Sequence, residues 1–454
     1  MNAASTAASA VPGRRVWLVA APWAAVCALL YSTLAILRHR RLEPTSWDNA
    51  IFEQALRGYA DLGWPIVDIK GPGYNLLGDH FHPIVALLAP VYRLFPAAET
   101  LLLAQAVLLA ISVHVVTALA VRHLGRRVGL ALGVAYGLSF GLISAVAAQF
   151  HEVAFGAPLL ALAGAAYVER RWTAVVLWTL PLLLVKEDLG ITVAVVGLVL
   201  WLAGQRRRGL LLAGVGLVGA ALVVFVVLPA FNPAGVYDYA TNAGGDDGLA
   251  ITLFTGVDRK LLTVLLTFGV TGLSALFSRW ALLVLPTFAW RFVGDVEFYW
   301  GTDWHYSLLL MPIVFVAAID AMVRHRELRW ATVPALVVTA VMLIGSPMAS
   351  LVDSTTWREG PREAAAAAVI RDVPQDASVV TDIGLITHLG TERQVFWLGT
   401  VGDASPDFVL LDQWGGFGAP PDILEYASTT FGGSWELVRD EQGYQLARRT
   451  GSDA

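Results

Sequence analysis

Val16-Trp17-Leu18-Val19-Ala20-Ala21-Pro22-Trp23-Ala24-Ala25-Val26-Cys27-Ala28-Leu29-Leu30-Tyr31-Ser32-Thr33-Leu34-Ala35-Ile36-Leu37, preceded by Arg14-Arg15 and followed by Arg38, decides what kind of chain this is. About 22 uncharged residues are enough to cross the hydrocarbon core of a bilayer as one helix, and they exceed the apolar core of a signal peptide. The run reads as an uncleaved signal-anchor helix with residues 1–15 in the cytoplasm; a cleaved signal peptide is the alternative. The rest of the sequence agrees. The 454 residues are 56% hydrophobic and only 15% charged, with a mean hydropathy of +0.62, too apolar for a soluble protein of this length. The chain is therefore expected to be a polytopic α-helical membrane protein. Its net charge of -5 is spread out and no long basic run occurs, which argues against nucleic acid as a partner. The lone Cys27 excludes an intrachain disulfide and a cysteine-based metal site.

Further apolar spans fall at 101–121, 128–148, 153–168, 172–185, 189–204, 210–229, 261–277, 280–293, 307–323 and 330–348, making about eleven with the first. If the first helix runs outward, the inner turns hold Arg122, Arg126 and Arg127, then Arg170 and Arg171, then Arg206, Arg207 and Arg208, then Arg279, then Arg324, Arg326 and Arg329. That is the positive-inside pattern. Arg38, Arg40 and Arg41, with Arg259-Lys260, are exceptions that fall on the outer side; contact with lipid headgroups or an anionic ligand is open to them, and plain interfacial snorkelling is the commoner explanation. The transmembrane domain then covers 16–348, with a long first outer loop at 39–100 and a second outer segment at 230–260. Within the first loop, 83–95 is too short to cross and reads as an interfacial or re-entrant helix between Pro83 and Pro96.

Residues 349–454 read as a small soluble α/β domain on the outer side. A helix is expected at 359–371, strands at 378–381, 395–398 and 408–411, a helix at 421–428, and a hairpin of 435–439 with 444–448 around Glu441-Gln442-Gly443. It contains neither a Gly-rich phosphate loop nor a nucleophile elbow, so a structural or acceptor-positioning role is expected of it. No internal repeat marks a transporter built from two related halves.

On this topology most clusters of ionisable residues between spans face outward. Asp48 is the sharpest, in Ser46-Trp47-Asp48-Asn49-Ala50-Ile51-Phe52-Glu53-Gln54; the plain alternative is a helix start capped by Thr45, Ser46 or Asp48 itself. Gly78-Asp79-His80-Phe81-His82-Pro83 offers Asp79, His80 and His82 for a phosphate, an acceptor or a metal, but the spacing supplies no third metal ligand. No metal is assigned, and a divalent ion stays open. His151-Glu152 and Lys186-Glu187-Asp188 occupy the next two outer turns, where the inner turns are almost purely arginine. The last cluster contains Arg291, Asp303 and His305 among aromatics that suit an interfacial belt. A buried guanidinium needs a carboxylate or phosphate, which makes Arg291 the first choice for a lipid-phosphate ligand and Lys186 the second.

Taken together, Trp47-Asp48-Asn49-Ala50-Ile51-Phe52-Glu53-Gln54, Gly78-Asp79-His80-Phe81-His82-Pro83, Phe150-His151-Glu152, Leu184-Val185-Lys186-Glu187-Asp188-Leu189-Gly190 and His305-Tyr306-Ser307 resemble the bacterial membrane-protein family called domain of unknown function 2079. The resemblance runs from about Trp47 to Leu411, and it implies a relation to C-type (GT-C) glycosyltransferases, which use polyprenyl-phosphate sugars. It further implies a bacterial plasma-membrane location, an outward first helix, an extracytoplasmic C-terminal domain, and an essential acid in the first outer loop, which Asp48 matches by position. Asp48 is followed by Asn49, so a role needing two adjacent carboxylates is in doubt. The expectation is an inverting transfer from a lipid-linked donor to an envelope acceptor. Asp48 would be the base, Arg291 and Lys186 the phosphate contacts, and Asp79, His80, His82, His151, Glu152, Glu187, Asp303 and His305 the sugar and acceptor pocket. A secondary transporter and a non-catalytic envelope-assembly scaffold are the alternatives.

Overall fold

The structure is a computed structural model, and it describes residues 13–43, 47–239, 248–390, 393–415 and 418–451. The signal-anchor run forms the helix α1, Gly13–Arg40, with Pro22 inside it. After it come α2 (Asp48–Ala60), α3 (Ala98–Leu124), α4 (Arg126–Gly137), α5 (Phe140–Ala147), α6 (Gly156–Val168), α7 (Trp172–Thr179), α8 (Leu189–Leu202) and α9 (Arg206–Leu222). The bundle is completed by α10 (Val257–Gly269), α11 (Val284–Val293), α12 (Leu310–Arg324) and α13 (Thr332–Ile344).

Five described helical segments are long and apolar enough to cross a membrane: Arg15–Arg40, Ala98–Leu124, Arg126–Ala147, Arg206–Phe231 and Arg326–Ile344. Glu297–Ser307 with Leu310–Arg324, bent by 68°, makes a sixth if the pair counts as one span. Length and composition thus support five or six spans, where the hydropathy reading expects about eleven. The difference lies in segments such as Glu152–Val168, Trp172–Leu184 and Leu189–Leu202, which are apolar but shorter. Local breaks explain it: a 3-10 turn with Pro181 follows α7, and left-handed Leu273 stops the chain after α10.

Polar turns gather at the two ends of this bundle. At one end Arg122 and Arg171 grip Glu169 at 2.6 and 2.7 Å, Arg279 donates to the Leu202 carbonyl, and Arg324 donates to the Phe277 carbonyl at 2.7 Å. Thirteen residues of α6 separate this end from His151 and Glu152, a rise of about 20 Å. Between the ends the core is apolar, with α12 packed on α3 and α6 and its residues Leu310 to Met322 almost all buried. The short stretch Pro83–Leu94 packs against α2, its Tyr92 hydroxyl donating to Glu53 Oε1 at 3.1 Å, while Leu87, Val91, Leu94 and Phe95 stay exposed. A buried face of Ile84, Val85 and Tyr92 and a bare apolar face on the outside suit a helix lying in the membrane interface.

The C-terminal part forms a five-stranded sheet with α14 (Pro361–Asp372) and α15 (Ile423–Phe431). Strands β1 (Ser378–Thr381), β2 (Gln394–Trp397), β3 (Phe408–Asp412), β4 (Ser434–Glu441) and β5 (Tyr444–Gly451) lie in the order β2-β1-β3-β5-β4. The first three are parallel, and β5 and β4 add an antiparallel hairpin in the expected place. This sheet is docked on the first loop. Gln54 of α2 donates to the Val395 carbonyl at 2.9 Å and accepts from Ile69 N–H at 3.1 Å, Gln394 donates to Asp68 at 2.9 Å, and Trp397 meets Trp47 edge-on at 4.5 Å.

Candidate functional site

Asp48 is the first residue of α2, preceded by Trp47 as a cap that makes no side-chain hydrogen bond. Asp48 thus stands one residue inside the cap position, and Thr45 and Ser46 lie outside the described residues. Asp48 Oδ2 stands 3.3 Å from His151 Nε2, with its side chain 33% exposed. The turn carrying His151 is braced from α3, where Gln105 donates to the Ala145 and Gln149 carbonyls and accepts from His151 N–H at 3.0 Å. His151 Nδ1 is 3.2 Å from the Gln149 carbonyl, an acceptor only, so the tautomer that satisfies this contact has its proton on Nδ1, and Nε2 faces the Asp48 carboxylate. The His305 ring stacks on His151 at 3.6 Å, and Phe52 packs edge-on against both His82 and His151.

A second wall comes from two other turns. Lys186 Nζ pairs with Glu152 Oε1 at 2.9 Å. Glu187 receives His80 Nδ1 at 2.7 Å, Phe81 N–H at 3.1 Å and the Tyr237 hydroxyl at 3.3 Å. Asp79 receives Lys70 and the Tyr239 hydroxyl, both at 3.1 Å, and Tyr239 stacks on His80. Burial pushes the Glu187 carboxyl up, but the charge and hydrogen bond of His80, with Lys186, outweigh it and hold it at about 2. Burial alone would lower His80 and raise Asp79; Glu187 reverses the first, and His80 with Lys70 reverses the second. His82, with burial dominant, is held below the usual histidine value. Lys186 resists its own burial through Glu152, Glu187 and Asp188 and stays an ammonium.

The third wall is aromatic: Trp290, Tyr299 and Tyr306 meet edge-to-face at centroid distances of 4.9 to 5.7 Å. The three walls enclose a cavity of about 320 Å³ at the end of the bundle away from the Arg279–Leu202 contact. A family model described as predicted membrane protein, DUF2079, matches residues 38–446. The chain belongs to this family. No curated protein matches it.

In this DUF2079 protein the cavity brings together Asp48, Asp79, His80, His82, His151, Glu152, Lys186, Glu187 and His305. Two expected site residues stand elsewhere. Arg291 is fully buried behind the aromatic wall, where it donates to the Tyr299 carbonyl at 2.6 Å, the Gly301 carbonyl and Ser307 Oγ at 3.2 Å. Its donors are spent on fixing the loop that carries Tyr299, His305 and Tyr306. Asp303 is exposed on the same loop and does not line the cavity. Lys186 is the only lysine or arginine among the described cavity-lining residues. Among the described residues, no group of three His, Cys, Asp or Glu side chains is close enough to hold a metal ion.

Sequence reasoning missed Lys70, Asp188, Tyr237, Tyr239, Trp290, Tyr299 and Tyr306 as site residues. Asp188 was visible beside Glu187, and the alternation Tyr237-Asp238-Tyr239 was visible in a polar outer segment. Nothing in the sequence distinguishes Trp290, Tyr299 and Tyr306 from an interfacial belt.

Proposed function

We propose that this protein is a GT-C-like, inverting glycosyltransferase that moves a sugar from a polyprenyl-phosphate donor to an extracytoplasmic envelope acceptor. The single observation that carries the reading is the cavity, which unites a carboxylate–imidazole pair, an ammonium and a cluster of aromatic rings at the end of apolar helices. In the reaction the acceptor oxygen attacks the anomeric carbon as the bond from that carbon to phosphate oxygen breaks. The acceptor proton passes to the Asp48–His151 pair, and the bonding electrons leave with the lipid phosphate beside Lys186. Trp290, Tyr299 and Tyr306 give the sugar ring an apolar face, and Arg291 holds the loop that presents them.

The reading includes eleven passes between the two ends of the bundle, the shorter apolar helices counted, with residues 1–15 in the cytoplasm of a bacterial cell and the C-terminal domain outside its plasma membrane. The arginine turns at the end away from the cavity support this orientation. Binding of a panel of polyprenyl-phosphate sugars to the folded protein tests the donor class. Saturable binding weakened in Lys186→Met is expected; no binding by wild type to any member contradicts it.

A second reading draws on the 68° bend between Glu297–Ser307 and Leu310–Arg324, since broken helices beside a polar cavity also build secondary transporters. Uptake of a sugar or sugar phosphate into proteoliposomes, unaffected by added lipid-linked donor, would favour it.

A further inference from the structure

Five carboxyl groups line the cavity: Asp48, Asp79, Glu152, Glu187 and Asp188. Four are matched to a base, His151 at 3.3 Å, Lys70 at 3.1 Å, Lys186 at 2.9 Å and His80 at 2.7 Å respectively. Asp188 has no such partner among the described residues; its Oδ1 makes no hydrogen bond, and the residue as a whole is only partly buried where it lines the cavity. It occupies the N-cap position of α8, where an aspartate ordinarily accepts from the free helical N–H groups, yet its side chain makes no cap bond. A side chain that forgoes this local bond and lines a cavity is available to something in the cavity.

What it suits follows from its neighbours. Lys186 and Glu187 face it from its own turn, Glu152 from the turn before α6, His80 from the first loop, and the Tyr237 hydroxyl from the second outer segment. An ionised carboxylate beside Lys186 would repel an anion, whereas a protonated one would donate to it. We propose that Lys186 and Asp188 together bind the phosphate of a lipid-linked ligand, Lys186 as the counter-charge and protonated Asp188 as a hydrogen-bond donor to a phosphate oxygen. Burial raises the Asp188 carboxyl against Lys186, with Glu187 and Glu152 adding to the rise, to about 6, so a proton is within reach near neutrality. An incoming phosphate raises it further, and binding takes up that proton. This inference rests on the lipid-phosphate reading above.

The test is binding of undecaprenyl phosphate to the full-length protein in detergent, from about pH 5 to pH 8, with inorganic phosphate as competitor. Wild type is expected to lose affinity with rising pH by up to about tenfold per unit beyond the phosphate's own titration. In Asp188→Asn the amide donates at every pH, so only the phosphate's own slope remains. Asp188→Ala lacks both the donor and the repelling charge, so it binds more weakly than wild type at low pH, more tightly than wild type at high pH, and keeps only the phosphate's own slope. Identical slopes in wild type and Asp188→Asn, both folded by thermal melt, overturn the role of Asp188 and leave the lipid-phosphate reading standing. Absence of wild-type binding at every pH overturns both. Equal affinity for inorganic phosphate overturns the lipid as the ligand.

Discussion

Lys186 answers two demands at once, since it is the counter-charge of buried Glu152 and the cation of the cavity. Lys186→Met leaves the Glu152 carboxylate buried and unpaired, a loss of about 3–5 kcal/mol. Thermal melts in detergent are expected to show that loss, and Lys186→Met combined with Glu152→Gln is expected to recover most of it. The His80–Glu187 pair makes a pH prediction. Glu187 is held at about 2 against an ordinary 4.5, so its contribution is present above pH 4.5 and is lost as pH falls from there toward 2. His80 is raised above an ordinary 6.5, so its contribution is present below pH 6.5 and is lost as pH rises through the raised value. The pair therefore supports the fold most between pH 4.5 and 6.5, and Glu187→Gln is expected to lower the melting temperature there and flatten its fall on acidification. At this scale the sequence was partly legible. Asp48, His151 and Glu187 stood out because a charge at the end of an apolar run is costly without a reason. Arg291 did not yield its role, because backbone carbonyls are invisible in a list of side chains and they, rather than a phosphate, satisfy it.

Among the elements, the pair α8 and α9 sets where the Lys186–Asp188 turn sits, since α8 begins at the next residue. Their contact is backbone on backbone. A Cβ at Gly197 would lie 2.6 Å from the Gly209 carbonyl oxygen, and one at Gly190 2.8 Å from that of Gly216, so only glycine permits this approach. Gly197→Leu is expected to force the helices apart, lower the melting temperature and weaken phosphate-lipid binding together. Gly214→Leu, on α9 with no atom within 4 Å of its Cβ, is expected to change neither. Hydropathy located these helices within a few residues, as short apolar runs between turn residues located the strands of the C-terminal sheet. It overstated the number that meet the length of a span, because local stops such as Pro181 and left-handed Leu273 interrupt runs whose composition stays apolar.

For the whole molecule, the C-terminal sheet bears on the helix that carries Asp48. Gln54, 2% exposed, joins β2 to the first loop by two hydrogen bonds, and His39 at the end of α1 stacks on His388 at 4.1 Å. Gln54→Leu orphans a buried N–H and a buried carbonyl at about 1–3 kcal/mol each, so faster proteolytic release of the C-terminal part is expected with the helix bundle intact. None of this long-range docking was legible in the sequence, since residues 54 and 395 meet only through the fold. The central claim is that one cavity performs sugar transfer from a lipid phosphate with Asp48 as base. It is tested most directly by incubating wild type and Asp48→Asn with polyprenyl-phosphate sugars and envelope extract and measuring released polyprenyl phosphate. The account predicts release by wild type and a loss of about 10²–10⁴-fold in a folded Asp48→Asn protein; equal release by the two proteins would contradict it.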